Sequence, residues 1–296
     1  MVAALTGGEA GERVRALVRA ICDGPANRLA PPGERAAGWG DERAWGEPLV
    51  GYAAGDDPLF AAYKEHVGPY HWTPAEALAL AHPELGGSDP ASLTVICWVL
   101  RQTAATRADS RQGTAYPPER WARSRIYGEQ FNDHLRREVV RALEAAGHAA
   151  AAPALLPGFA TRDSTRFVLA SNWSERHMAY AAGLGTFGLC DGLITPVGKA
   201  MRVGSVVAQL TLPPTPRPYS DPHAYCLHYA RGTCGACIDR CPAGALSRAG
   251  HDKRVCGAYV GSTRAHVAAQ YGFQGYGCGL CQTGVPCEAG IPTELR

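Results

Sequence analysis

The chain has 296 residues, of which 19% are charged, and its net charge is +2. That length suits one large or two medium domains at roughly 150 residues each, and the near-neutral balance argues neither for nor against nucleic acid. Charges at Glu9, Glu12, Arg13, Arg15 and Arg19 leave no apolar signal-peptide core. No apolar run reaches the ~18 residues a membrane helix needs, so a cytoplasmic location without membrane contact is expected.

In chain order, Val14, Leu17, Val18 and Ile21 recur at helical spacing and predict an amphipathic helix over Glu9–Cys22. Residues 23–58 are rich in Gly, Pro and Trp and read as an irregular wrapping segment. Thr73 caps a short helix to Ala81, with Pro74 at its first position. His71 and Trp72 before it are candidates for a pocket, although such residues are more often core. Leu93–Leu100 (LTVICWVL) reads as a buried strand, and the polar stretch Thr103–Arg120 as a loop. Asn132 caps a helix to Gly147, with Leu135, Val139 and Leu143 on one face. Short strands are expected over His148–Leu156 and Thr165–Ala170, a helix over Ser174–Ala182, and a strong β-branched strand over Val203–Leu212. Five prolines between Pro213 and Pro222 mark a boundary. The domains expected are 1–90 as an N-terminal wrapping or capping segment, 91–215 as an α+β core, and 216–296 as a cysteine-rich domain.

Eight of the eleven cysteines lie in that last part: Cys226, Cys234, Cys237, Cys241, Cys256, Cys278, Cys281 and Cys287. A cubane [4Fe–4S] cluster takes four thiolates, and two-cluster ferredoxins use C-x2-C-x2-C-x3-C-P, whose fourth cysteine serves the other cluster. Cys234-x2-Cys237-x3-Cys241-Pro242 reproduces the end of that run. Arg231 stands at its first position, with Cys226 as the nearest substitute. Cys278-x2-Cys281 opens a second group, but Val285 takes the next cysteine position and Cys287 follows. The partition expected is Cys226, Cys234, Cys237 and Cys287 for one cluster, and Cys241, Cys256, Cys278 and Cys281 for the other. Two structural zinc sites are the alternative, since they also take four thiolates. Cys22, Cys97 and Cys190 sit in apolar surroundings and read as small buried hydrophobes.

Gly183-Leu184-Gly185-Thr186-Phe187-Gly188 matches G-x-G-x-x-G, but a helix-like segment precedes it where a dinucleotide site needs a strand. So many glycines mean tight turns or backbone pressed against a ligand. The pattern Glu175-Arg176, Ala181-Ala182-Gly183-Leu184-Gly185, Gly188, Leu193-Ile194 and Gly198-x5-Gly204 resembles the corrinoid-binding core of the epoxyqueuosine reductase family, which is itself similar to the reductive dehalogenases. Residues 234–287 resemble that family's double-cluster module. Together the match spans roughly residues 90–290.

The resemblance implies an α+β, nitroreductase-like core with a mixed sheet flanked by helices, followed by a bacterial ferredoxin-like module with two [4Fe–4S] clusters. It implies base-off cobalamin bedded on Gly183, Gly185, Gly188, Leu193, Ile194, Gly198, Arg202, Val203, Gly204, Ser205 and Val206. Electrons from a ferredoxin or flavodoxin-type donor would pass through both clusters to cobalt. The reaction implied is reductive removal of an oxygen or halogen substituent from a small organic substrate. Asp221-Pro222-His223 is only a fragment of a lower-ligand signature, which fits base-off binding. Three departures stand out: Gln130 occupies the place of the family's acidic proton donor, Lys199 replaces a serine, and the chain stops at Arg296 before the family's tRNA-gripping repeats. The first and the last argue against tRNA as the partner, and the lysine would alter the contact to the corrin. Tyr127 is the first choice of proton donor, by likeness to the dehalogenases; Glu129, Asp133 and His134 are nearby candidates. Two other readings stay open: an electron-transfer or corrinoid-reducing partner protein, and a cluster enzyme that has lost its corrinoid.

Overall fold

The computed structural model describes residues 7–31 and 38–296. Helix α1 (Gly7–Asp23) comes first, and its Val14, Val18 and Cys22 recur every fourth residue and are buried. Strand β1 (Trp45–Ala54), helices α2 (Pro58–His66) and α3 (Pro74–Ala81), and strand β2 (Thr94–Gln102) follow. Next come α4 (Ala104–Gln112), the long α5 (Glu119–Ala145) and the short β3 (Ala150–Ala151). Hairpin β4 (Thr161–Ser164) to β5 (Val168–Ser171) leads into α6 (Glu175–Ala181). A second small hairpin, β6 (Thr186–Phe187) to β7 (Leu193–Ile194), precedes β8 (Met201–Ala208).

The main sheet has the order β1-β2-β8-β3. Both faces of its centre are covered. Ile96, Trp98 and Leu100 of β2 join the apolar cluster with α1 and α5. The alternate residues Val95, Cys97 and Val99 join the cluster with α6. Burial on both faces explains why β2 reads as one continuous apolar run. Every pairing in the sheet is antiparallel, where a mixed sheet was expected. The connections carry helices, yet each returns the chain in the opposite sense.

Several sequence expectations are corrected. Residues 23–58 are not wholly irregular: β1 pairs with β2 along its length. Its Gly46, Pro48 and Gly51 disguise it. Pro48 is tolerated because β1 is an edge strand with a register shift between Trp45 and Pro48. Gly51 is required because a Cβ there would come within 2.6 Å of the Ala182 carbonyl oxygen. Residues 32–37 of that segment lie outside the described residues. The stretch 103–120 contains α4, capped by Thr103, whose Oγ1 accepts from the Thr106 N–H at 3.2 Å. The buried residues of α4 are Thr106 and Ser110, so hydrophobic periodicity could not show it. Asn132 is no cap: it lies mid-way along α5, fully buried, and donates through Nδ2 to the Val203 carbonyl at 3.1 Å. The strand expected over 148–156 shrinks to β3, and Thr165 falls in the β4–β5 turn.

The cysteine-rich part is built of short elements: α7 (Leu227–Arg231), α8 (Ala236–Asp239), hairpin β9 (Leu246–Ser247) to β10 (Gly250–His251), and the longer α9 (Lys253–Tyr271). Among the described residues no helix is long and apolar enough to cross a membrane.

Candidate metal centre

Cys226 sits at the N-cap of α7, Cys237 lies in α8, and Cys234 precedes it. These three and Cys287 line one cavity, walled by the apolar Leu189, Ile194 and Val285 and shared by Lys199. Burial pushes the Cys237 thiol up to about 12, with Lys199 pulling the other way. A thiol that stays protonated is a poor ligand, so any metal taken up here would release protons.

Cys287 arrives from a distant loop, and Glu288 fixes it there. Glu288 is 5% exposed and accepts from Arg111 Nε at 3.0 Å and from the Gly284 N–H at 2.7 Å. The Lys199 N–H donates to the Cys287 carbonyl at 2.9 Å. Arg240 ties the same loop to α4, donating to the Ser110 carbonyl at 2.8 Å and the Thr283 carbonyl at 3.1 Å. The helix that sequence periodicity missed is thus the platform for the second half of the cysteine set.

Cys241, Cys256, Cys278 and Cys281 are all partly buried. Burial raises the Cys278 thiol to about 11, and the nearby Cys256 and Cys241 add to the rise. Cys256 lies on α9, and Asp252 caps that helix. Among the described residues no three His, Cys, Asp or Glu side chains converge as a single metal ion requires.

Cys190 belongs with these thiols, which sequence reasoning missed. It is packed in the same cluster as Cys226, Cys237, Cys281 and Cys287. A hydrogen bond with Cys281 lowers its thiol against the opposing effect of burial, and Lys199 lowers it further. Its neighbour Gly192, which stands close to both Cys190 Sγ and the Lys199 stem, was the available signal. Cys22 and Cys97 are packed inside the two core clusters away from this set.

The residues expected to bed a corrin are turned inward. Leu193, Ile194, Ser205 and Val206 are fully buried, and Val203 nearly so. Each key glycine abuts this chain's own atoms. A Cβ on Gly183 would come within 2.6 Å of the Pro216 carbonyl oxygen. On Gly185 it would strike the Ile194 carbonyl, on Gly198 the Glu288 carbonyl, and on Gly204 the Trp98 Nε1 and Asn132 Oδ1. A Cβ on Gly188 would come within 3.2 Å of the Ile194 side chain. Arg202 is half-buried and pairs with Glu129 at 2.8 Å. These positions do not fit a macrocycle, because internal packing already fills the space that glycine leaves. His223 has its Nδ1 3.0 Å from the Phe187 carbonyl oxygen.

A buried polar chain runs behind β8. Arg136, with its side chain 3% exposed, pairs with Glu175 at 2.8 Å, Asp133 at 2.7 Å and Glu129 at 3.2 Å. Glu175 accepts from Ser205 Oγ at 2.5 Å, and Ser205 accepts from Trp173 Nε1 at 2.9 Å. Glu175 therefore pairs with Arg136, while the adjacent Arg176 donates to the Asp191 carbonyl at 2.9 Å. Burial opposes ionisation of Glu129, but Arg202 and Arg136 outweigh it and hold its carboxyl low. Gln130 is exposed. Tyr127 lies with its ring 5.6 Å from that of Phe273 and the Arg123 guanidinium 5.9 Å away. His134 stands 3.7 Å from Glu138. His71 is a core residue: it is fully buried, its Nε2 accepts from the Ser174 N–H at 3.2 Å, and burial lowers it to about 4. Trp72 lines an open cleft with Lys64, Tyr70 and Arg162.

No family model matches the chain. Over 124 residues it is 33% identical to the epoxyqueuosine reductase of Bacillus anthracis, covering 40% of this chain and 30% of that protein. It is 32% identical over 127 residues to that of Staphylococcus aureus, covering 41% of this chain and 31% of the relative. The chain is therefore a homologue of epoxyqueuosine reductases over one segment, and that segment spans about a third of these relatives' length. Among solved structures, an epoxyqueuosine reductase from Bacillus subtilis aligns with TM-score 0.42 and 18% identity, over 84% of this chain and 63% of that one. A catabolic reductive dehalogenase aligns with TM-score 0.45 and 13% identity, over 95% and 37%.

Proposed function

We propose that the chain is an iron–sulfur reductase that carries electrons through two [4Fe–4S] clusters. Cys226, Cys234, Cys237 and Cys287 would hold one, and Cys241, Cys256, Cys278 and Cys281 the other. The observation that carries this reading is the cavity at which four cysteines from separated segments meet. The segmental identity to epoxyqueuosine reductases supports the reductive direction. Such clusters, when bound, accept and pass single electrons. The protein's own part is to supply thiolates, to exclude water with Leu189, Ile194 and Val285, and to clamp the Cys287 loop through Glu288 and Arg240.

In this reading a ferredoxin or flavodoxin-type protein supplies the electrons and a small organic molecule receives them. The filled glycine segment favours a cluster enzyme without a corrinoid. Tyr127 as proton donor rests on the resemblance alone; Tyr127→Phe with normal turnover would discard it. Iron and sulfide analysis of anaerobically purified protein, with low-temperature EPR after reduction, tests the cluster assignment. Two fast-relaxing signals are expected; colourless protein carrying two zinc ions would end the reading. Cobalamin offered during anaerobic reconstitution should be lost on desalting. A retained base-off spectrum would restore the corrinoid alternative.

A further inference from the structure

Lys199 is 2% exposed and lines the cavity with Cys226, Cys234, Cys237 and Cys287. Its stem is pinned: a Cβ on Gly192 would stand 3.0 Å from its Cγ and Cδ. The chain has three lysines. Lys64 pairs with Glu76 at 2.8 Å, and Lys253 lies 3.5 Å from Asp191. Lys199 differs from both. Glu288, whose backbone carbonyl accepts from the Lys199 N–H at 3.2 Å, has its carboxylate engaged by Arg111 and Arg107. Among the described residues that line the cavity with Lys199 none is Asp or Glu, and four carry sulfur: Cys226, Cys234, Cys237 and Cys287.

A buried ammonium is costly unless a negative group faces it. Among the lining residues only the cysteine sulfurs, as thiolates holding a cluster, can do so. A cubane ligated by four thiolates carries net negative charge, and one-electron reduction adds another without requiring a proton. Cluster potentials depend on net charge, hydrogen bonds to sulfur and solvent exposure. A fixed positive charge in the cavity therefore favours the reduced form.

We propose that Lys199 is the fixed countercharge that raises the reduction potential of the cluster bounded by Cys226, Cys234, Cys237 and Cys287 above that of its neighbour. An electron supplied by a low-potential ferredoxin or flavodoxin to the Cys241, Cys256, Cys278 and Cys281 group then runs downhill to the Lys199 side. Lys199 acts through charge and position, and it takes up no electron or proton in the step. The inference rests on the two-cluster reading above.

The test is an anaerobic EPR-monitored redox titration of wild type, Lys199→Met and Lys199→Arg. In Lys199→Met the reduction equilibrium of one signal should fall at least tenfold, which for one electron is about 59 mV, while the other signal moves less. Lys199→Arg should restore most of the shift. Two assembled clusters with unmoved potentials would overturn the inference and leave the two-cluster reading standing. Protein without iron would overturn both. If Lys199→Met does not assemble, wild type grown with ε-15N-lysine decides the question: pulsed EPR of the reduced protein should show a 15N coupling on one cluster signal, and its absence overturns the inference. Lys199 is the one lysine of the three that lines the cavity, so the label is selective.

Discussion

Replacing Arg136 by Met removes the hub of the buried polar chain behind β8. Arg136 is 3% exposed and serves three carboxylates, Glu175, Asp133 and Glu129, whose side chains are 17%, 33% and 29% exposed. Removing one partner of a buried pair costs about 3–5 kcal/mol, because the other charge is left uncompensated. Partial access of these carboxylates to water places the expected loss near the lower end, about 3 kcal/mol, against a total of about 5–15 kcal/mol for a typical domain. The loss should also depend on pH. Burial already raises the Glu175 carboxyl, and Arg136 only partly offsets it. Without Arg136 that carboxyl rises further. A carboxyl raised on folding binds more protons in the native state, so stability falls as pH climbs from the unfolded value of about 4.3 through the folded value. The deficit of Arg136→Met should therefore be largest at neutral pH and shrink toward pH 5. Anaerobic urea unfolding of the metal-loaded protein at several pH values measures it, and Arg136→Met/Glu175→Gln completes a double-mutant cycle. A deficit independent of pH, or a double variant that costs the full sum of the singles, would refute the electrostatic reasoning.

Other outcomes follow from the same geometry. Cys287→Ser should lower bound iron to about half and remove one EPR signal, whereas Cys22→Ala, far from the cavity, should leave iron content unchanged; equal iron in both variants would break the partition. Gly204→Ala pushes a methyl into the Trp98–Asn132 hydrogen bond, which measures 2.8 Å. It should destabilise by about 1–3 kcal/mol and perturb tryptophan fluorescence; a neutral result would show that the contact relaxes freely. Loading with iron and sulfide should release protons, because burial holds Cys237 and Cys278 as thiols near 12 and 11. Reconstitution in weak buffer with a pH electrode checks this, and no acidification would mean the thiols were already ionised.

Local signals were enough where one chemical pattern dominates. The buried strand around Cys97, the helix after Ser174 and the β-branched run into β8 follow from apolar periodicity over a few residues. The cysteine spacing singled out eight thiols, and four of them, Cys226, Cys234, Cys237 and Cys287, line one cavity. Other elements were invisible because their stabilising partners are distant in sequence. Strand β1 hides behind Gly46, Pro48 and Gly51, which make sense only beside Arg101, a bulge and Ala182. Helix α4 hides because it buries Thr106 and Ser110 rather than aliphatic residues. The glycines from Gly183 to Gly204 announce close approach, but glycine carries no label for what approaches. In the folded chain it is Pro216, Ile194, Glu288 and Trp98 rather than an open bed for a flat ligand. Cys190 and Lys199 likewise read as one apolar cysteine and one ordinary lysine. The folded chain turns them into a thiol and a buried charge at the candidate centre. Sequence alone determined which atoms can bind metal; tertiary structure decided which of them face one another, because that depends on contacts whose two sides are far apart along the chain.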